Sequence, residues 1–367
     1  MKAAAIFADN QTLKVLTDIP EPKLTAPDDV KLRILQVGVC ATDREIASFI
    51  VGIPPAGSDY LVLGHEAIAE VVEAGPEAGD LQSGDLVVPT VRRPCQDPAC
   101  LACRSDRSDF CMTGLYSEHG IHKMHGFMTE FVVDEARYMR KVPAAIREAA
   151  VLVEPLTIAE KAFIQAERIM MRLPWNTPGT PGVSHQAVVV GAGPVGLLGA
   201  MALRLRGCRV AVYSRERQTD PRAEISRAIG AEYISAQDCS LEKMAAGMSN
   251  IDLVYEATGS SRLALDMIHV LGRNGVLILT GVPGGNVHEV IDIGALITNM
   301  TLKNQCLLAT VNAGNDAFDR AIADLSSFCS LWPGAVRELI TGRFPLEQFA
   351  TPLRSSAGIK NIIEMVS

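Results

Sequence analysis

Four cysteines stand between positions 95 and 111, in CQDPACLACRSDRSDFC. Their intervening spacings of four, two and seven residues would let four thiolates close a tetrahedral shell around one zinc ion. Such a shell leaves no position for a substrate, so the metal would hold a lobe together and do no chemistry. An empty or oxidised lobe and a catalytic metal are the competing readings. The chain has nine cysteines, an odd number, and its N-terminus MKAAAIFADN does not read as a secretory leader. Both features disfavour a disulfide framework. Cys208, Cys239, Cys306 and Cys329 read as buried or inert thiols.

A second set is less conspicuous. Cys40 lies in VGVCATDRE, His65 and Glu66 in LGHEAIAEVVEAG, and Glu154 in VLVEPLTIAEKA. Singly these read as a buried cysteine, a core histidine and a helix-entry glutamate. Together they offer a thiolate, an imidazole and carboxylates, the ligand mix of a zinc that keeps one position open. An open position lets the ion bind a substrate oxygen and stabilise the alkoxide from which hydride leaves.

The third chemical feature is VVVGAGPVGLLGA, where Gly191, Gly193 and Gly196 follow a strand and open a helix. That spacing gives a tight turn, close approach of backbone to a pyrophosphate, and close helix–strand packing. At the end of the next strand, RVAVYSRERQ, an NAD-binding chain usually carries an acid for the ribose 2′-hydroxyl. Here Ser214, Arg215 and Arg217 suit a 2′-phosphate, so NADP is the preferred cofactor. Glu216 would serve NAD if it points inward, and solvated surface arginines are the bland alternative.

These residues need two kinds of scaffold. The first third reads as β-rich: AAAIFA, VKLRILQVGVC, AIAEVVEAG, DLVVPTV and TEFVVDE are short apolar or alternating runs between turn residues. A helical pattern follows over residues 147–173, then PWNTPGTPGVSHQ (174–186) reads as a linker. Beyond it RVAVYSR, IDLVYEATG and GVLILTGV alternate with helical AEISRAIG and LALDMIHVLG, the rhythm of a doubly wound parallel sheet. AFDRAIADLSSF and GAVRELITG read as helices near the C-terminus. With 367 residues there is room for two domains, and 48% hydrophobic against 21% charged residues is the balance of a globular protein with a sizeable core. The net charge of −8, from 34 basic and 42 acidic residues, argues against a nucleic-acid partner. No run approaches the roughly 18 to 20 apolar residues of a membrane span, so no membrane partner and a cytoplasmic location are expected.

GVCATD, GHE, the four-cysteine lobe and GAGPVGLL occur in the order that is similar to the zinc-containing medium-chain dehydrogenase/reductases. FCMTGLYSEHGIHKMHGFMTEFVVDE, VLVEPLTIAEKA, VLGRNGVLILTGVPGG and TVNAG resemble, more narrowly, their glucose (aldose) 1-dehydrogenase branch. The resemblance implies an α/β chain: a GroES-like β-rich catalytic domain over 1–185 with the zinc lobe at 95–111, a Rossmann domain over 186–310, and a segment at 311–367 that returns to the catalytic domain. It makes Cys40, His65 and Glu66 ligands of a catalytic zinc, with Glu154 beside the metal as an alternating ligand or acting through a water. Thr42 would relay a proton, and Glu118, Thr90, Glu154 and Asn312 would meet the sugar. Pro194, Val195, Thr258, Gly281 and Asn312 would join the glycines and the Ser214 segment in holding the dinucleotide. Cys95, Cys100, Cys103 and Cys111 would hold a structural zinc, in a homotetramer or homodimer.

The implied reaction is hydride transfer from C1 of an aldose, glucose or galactose, to NAD(P), which gives the aldonolactone. A polyol or alcohol dehydrogenase on the same scaffold, and a non-catalytic NADP-binding redox sensor, are the alternatives. Three positions depart from the family pattern: Thr90 stands where an asparagine is common, Ala69 where a glycine is usual, and the lobe widens Cys-x2-Cys to Cys-x4-Cys at its first step.

Overall fold

The computed structural model describes residues 1–176, 185–283 and 290–365. The chain divides into two compact units. The first comprises Met1–Glu154, Asn312–Leu331 and Leu339–Ser367; the second comprises Pro155–Val311 and Trp332–Glu338.

The first unit is built on a mixed sheet around the long strand Asp29–Val39. Its sequence DVKLRILQVGV alternates apolar with polar residues over its first half, with Val30, Leu32, Ile34 and Val37 fully buried. On one side it pairs antiparallel with Glu66–Ala74, and beyond that lie Leu86–Pro89 and Met139–Lys141. On the other side lies Lys360–Glu364, then Ile340–Pro345. Phe131–Glu135 also pairs with the long strand. The core gathers Leu32, Ile34, Leu63, Phe127, Met128, Leu346 and Ile363, each burial worth about 1.5–3 kcal/mol against exposure. Register decides what meets at the strand's end: Gly38 stands opposite Glu66, and Val39 opposite Asn361. Ala69 lies buried within Glu66–Ala74, its φ outside the left-handed region, so alanine in place of glycine brings no strain there.

The second unit holds a six-stranded, all-parallel sheet in the order Glu232–Ser235, Arg209–Ser214, Gln186–Val190, Leu253–Glu256, Val276–Leu279, Cys306–Ala309. Helices Pro194–Leu205, Pro221–Ala228, Ser261–Val270 and Ile293–Leu302 connect its strands. AVVV and LVYE are buried runs without alternation, as strands covered on both faces must be. Strand order reverses at Gln186–Val190, which opens the crevice that such sheets use for ligands.

Four expectations shift. The pattern at 147–173 is a 3₁₀ run, Ala144–Leu152, passing into the α-helix Val153–Met170. From Pro155 that helix belongs to the second unit, not to a first domain ending at 185, because Phe163 packs on Tyr255 (centroids 5.1 Å apart) and Arg206 pairs with Glu160 and Glu167 at 2.5 and 3.5 Å. Near the other end, the segment expected to return whole leaves Trp332–Glu338 in the second unit. The residues Ile340, Thr341 and Gly342, read as helical, start the strand Ile340–Pro345, whose burial alternates along its length. Most of the linker (177–184) lies outside the described residues, as do 284–289.

Candidate active site and metal centres

Cys40 follows the central strand directly and is the N-cap of helix Ala41–Ala47, with extended φ −101° and ψ 169°. Asp43, three residues on, accepts from the Cys40 backbone N–H at 2.8 Å and so closes the helix entry. The other Asp43 oxygen, Oδ1, lies 3.4 Å from His65 Nδ1. That contact holds one face of the imidazole and leaves Nε2 for a metal. Ligand atoms of Cys40, His65 and Glu66 all lie within 4.8 Å of one another, with His65 and Glu66 buried. A sulfur, a nitrogen and an oxygen at that separation fit a zinc with three protein ligands and a fourth position open.

Charge favours a cation there. Burial works against a charged imidazole, yet the Asp43 carboxylate and the Cys40 thiol outweigh it and hold His65 well above its ordinary value. Glu154 is buried beside the cluster but is not one of the three close donors. Burial pushes its carboxyl up to about 7 against the pull of His65, with Glu66 adding to the rise. Sequence reasoning missed Asp43 and one further member. Lys360 is fully buried, pairs with Glu66 Oε2 and donates to the Val39 carbonyl at 3.2 Å. Gly38 makes that pairing possible, because a Cβ there would sit 2.1 Å from Glu66 Oε2 and 2.9 Å from Lys360 Cε. Thr42 is half-buried in the first turn after Cys40. Asp43 was findable as the acid three residues after an N-cap; Lys360, 320 positions from Cys40 along the chain, carried no local signal.

The four lobe cysteines also fit a metal. All four sulfurs lie within 4.8 Å of one another, and Cys95 Sγ is 3.6 Å from Cys103 Sγ. Zinc–sulfur bonds of 2.3 Å in a tetrahedron put sulfurs about 3.8 Å apart. Burial pushes the Cys103 thiol up to about 12, while hydrogen bonds from Thr113 and Cys103 overcome burial and bring Cys111 down to about 6. The widened first spacing is absorbed in a turn: Ala99 N–H donates to Asp97 Oδ1 and Cys100 N–H to the Asp97 carbonyl. Cys100 then starts helix Leu101–Arg104.

The strand Arg92–Arg93 pairs antiparallel with Ser117–His119, with Arg92 opposite Glu118. Glu118 Oε1 accepts from Arg92 Nε (3.0 Å), Arg92 Nη2 (2.9 Å) and Asn312 Nδ2 (2.9 Å). Asn312 adopts φ +60°, a conformation asparagine tolerates better than most residues. The structure thus joins two of the four expected sugar contacts. Thr90 is buried and its Oγ1 accepts from Arg93 Nη1 at 3.2 Å, a bond that leaves the hydroxyl hydrogen as a donor.

In the second unit Gly193 caps helix Pro194–Leu205, with Pro194 at its first position and Val195 next. A Cβ on Gly196 would lie 2.0 Å from the Gly191 carbonyl oxygen, while one on Gly193 would meet open space, where a pyrophosphate could approach the backbone. Ser214 Oγ accepts from Ala192 N–H at 3.3 Å and donates to Glu216. Arg215 is exposed and lies 3.2 Å from Glu216, and Arg217 reaches Gln237 at 3.3 Å. The acid is therefore tethered to the serine that bonds the glycine turn, while Arg215 and Arg217 are exposed. Thr258 is fixed by Glu256, and Gly281 lies so close to Gly259 N that a Cβ would stand 2.1 Å away.

A family model described as "Glucose dehydrogenase C-terminus" matches residues 147–365, and one described as "Alcohol dehydrogenase GroES-like domain" matches residues 26–144. The chain belongs to the glucose dehydrogenase family. Within it, a glucose 1-dehydrogenase from Methanocella arvoryzae is 36% identical over 367 residues, covering 100% of this chain and 99% of its own. One from Thermoproteus tenax is 41% identical, with 91% and 90% covered. Among solved structures, a Haloferax mediterranei glucose dehydrogenase in complex with NADP, Zn and gluconolactone superposes with a TM-score of 0.88 at 32% identity over the whole of both chains. This member of the glucose dehydrogenase family is thus an oxidoreductase by descent, and its fold is the GroES-like and Rossmann pair that the motifs implied. Among the described residues, no helix is long and apolar enough to cross a membrane.

Proposed function

We propose that the chain oxidises an aldose, glucose or galactose, at its C1 hydroxyl to the aldonolactone, with NADP as the preferred hydride acceptor and NAD as a second. One observation carries this: a three-donor metal cradle with an open position shares a compact unit with the Glu118–Asn312 pair, which is set to receive sugar hydroxyls. The glucose 1-dehydrogenase relatives and the NADP, zinc and gluconolactone of the Haloferax enzyme support it.

A zinc ion held by Cys40, His65 and Glu66, with Glu154 as an alternating ligand, supplies a Lewis acid that makes a substrate hydroxyl more acidic. The remaining work falls to the chain's own groups. Asp43 orients His65, and Lys360 neutralises Glu66. Thr42 takes the substrate proton and passes it towards solvent. Glu118, Asn312 and Thr90 select a polyhydroxylated substrate, because hydroxyl-binding groups left unpaired reject analogues that lack the hydroxyl. Cys95, Cys100, Cys103 and Cys111 hold a structural zinc. In the second unit Gly191, Gly193, Pro194, Val195, Gly196, Thr258 and Gly281 cradle the dinucleotide, and Ser214, Arg215 and Arg217 receive its 2′-phosphate.

The chain also associates with copies of itself, as a dimer or tetramer. Strand Cys306–Ala309 ends the parallel sheet, and Leu307 on it and Ile293, Ile297 and Leu302 of the preceding helix are exposed apolar side chains. Light scattering should give a multiple of the chain mass, and Leu307→Lys should lower it. Steady-state rates with D-glucose, D-galactose, sorbitol and ethanol, each with NADP and NAD, test the catalytic reading. Absence of aldose oxidation with either cofactor would sink it.

A further inference from the structure

Glu118 does not stand alone. The Arg92 guanidinium engages partners with all three of its nitrogens: Nε and Nη2 close on Glu118 Oε1, and Nη1 donates to the Ser108 carbonyl at 3.4 Å. Ser108 lies between Cys103 and Cys111, inside the four-cysteine lobe, at the start of the 3₁₀ turn Ser108–Phe110. The guanidinium carbon lies 3.7 Å from the Tyr116 ring centre, a cation–π contact that helps hold the side chain in place. Arg92 and Glu118 are both buried. All three donors to the carboxylate converge on Oε1, and Oε2 takes none of them.

We propose that Arg92 is a positioning residue for sugar recognition: it fixes the Glu118 carboxylate so that Oε2 is presented to substrate hydroxyls, and it ties that carboxylate to the cysteine lobe through Ser108. The inference rests on the reading of Glu118 as a sugar contact. A free glutamate would have to lose rotamer freedom when the sugar binds, whereas this one is already ordered. The lobe thereby gains a part in substrate affinity although its metal touches no substrate. Lysine cannot replace the arginine, because one ammonium cannot make the forked contact with Glu118 and reach the Ser108 carbonyl in the same plane.

The test uses the full-length, zinc-loaded enzyme with D-glucose and NADP. Arg92→Met should raise KM for glucose about tenfold or more while kcat stays within about threefold. Cofactor Kd, followed by fluorescence, and zinc content per chain should not change; a merely structural arginine would move those too. Arg92→Lys, which keeps the charge if the methionine variant folds poorly, should recover only part of the lost affinity. Adding Arg92→Met to Glu118→Gln should raise KM no further than Glu118→Gln alone. A glucose KM within twofold of the unaltered enzyme in both Arg92 variants overturns the proposal. So does a parallel loss of sugar affinity, cofactor affinity and zinc. If Glu118→Gln keeps the original KM in an enzyme that oxidises aldoses, the reading of Glu118 fails and takes this proposal with it. No aldose oxidation by the unaltered enzyme is a different failure, that of the proposed function.

Discussion

Replacing Lys360 by methionine, which keeps most of the length of the side chain and removes its charge, is the sharpest probe of the metal cradle. Lys360 and Glu66 are each 1% exposed, so neither charge finds water when the other is lost. Breaking a buried pair from one side typically costs about 3–5 kcal/mol, a third or more of the whole stability of many proteins. For a unit of this size that corresponds to a fall in Tm of roughly 6–20 °C. The loss should be largest with a chelator present. With zinc bound, the ion replaces part of the missing positive charge beside Cys40, Glu66 and Glu154, so the deficit should shrink. The double variant Lys360→Met with Glu66→Gln should recover about 2–3 kcal/mol, since the uncompensated carboxylate is then gone. Differential scanning calorimetry with and without chelator measures all three, with the transition of the first unit followed separately, because two units need not melt together. A Tm for Lys360→Met within 2 °C of the unaltered protein in chelator would refute the idea that the pair balances a buried charge.

Other outcomes are as specific. Glu216→Gln removes a carboxylate tethered by Ser214 beside the glycine turn; a like charge near a 2′-phosphate costs about 1 kcal/mol even at the dielectric of water, so the NADP/NAD ratio of kcat/KM should rise at least about fivefold in paired kinetics. Cys100→Ser should lower zinc from two to one per chain in elemental analysis, with the Cys40 site still filled. Half-buried Asp134 is held below the ordinary carboxyl range: burial opposes this, but the His119 hydrogen bond and the Arg93 charge outweigh it. A depressed carboxyl stabilises the fold fully above its unfolded value near 3.9, a contribution lost as pH falls further. Asp134→Asn should therefore be less stable at pH 7 by about 1–3 kcal/mol and show a flatter acid limb below about pH 4 in urea titrations.

Local pattern carried much of the architecture. The buried runs VVVGAG and VYEATG announced a parallel sheet because strands covered on both faces need no alternation, and the structure has that sheet. The cysteine spacing announced a closed metal shell, and the widened first step proved to be an Asp97–Pro98 turn that leaves the four sulfurs together. Less legible was the C-terminal stretch. Ile340–Pro345 is too short and too alternately buried to stand out from the helix before it, and only pairing with Lys360–Glu364 defines it.

The chemistry divides in the same way. Residue type and short-range spacing determined which groups could ligate a metal and which turn could hold a pyrophosphate, since helix caps and glycine turns are set within a few residues. Tertiary structure alone decided that Lys360 neutralises Glu66, that Gly38 leaves room for the pair, and that Arg92 holds Glu118. Those outcomes depend on strand register and on side-chain charges brought out of water. Both are properties of residues far apart in the chain, and no local pattern encodes them.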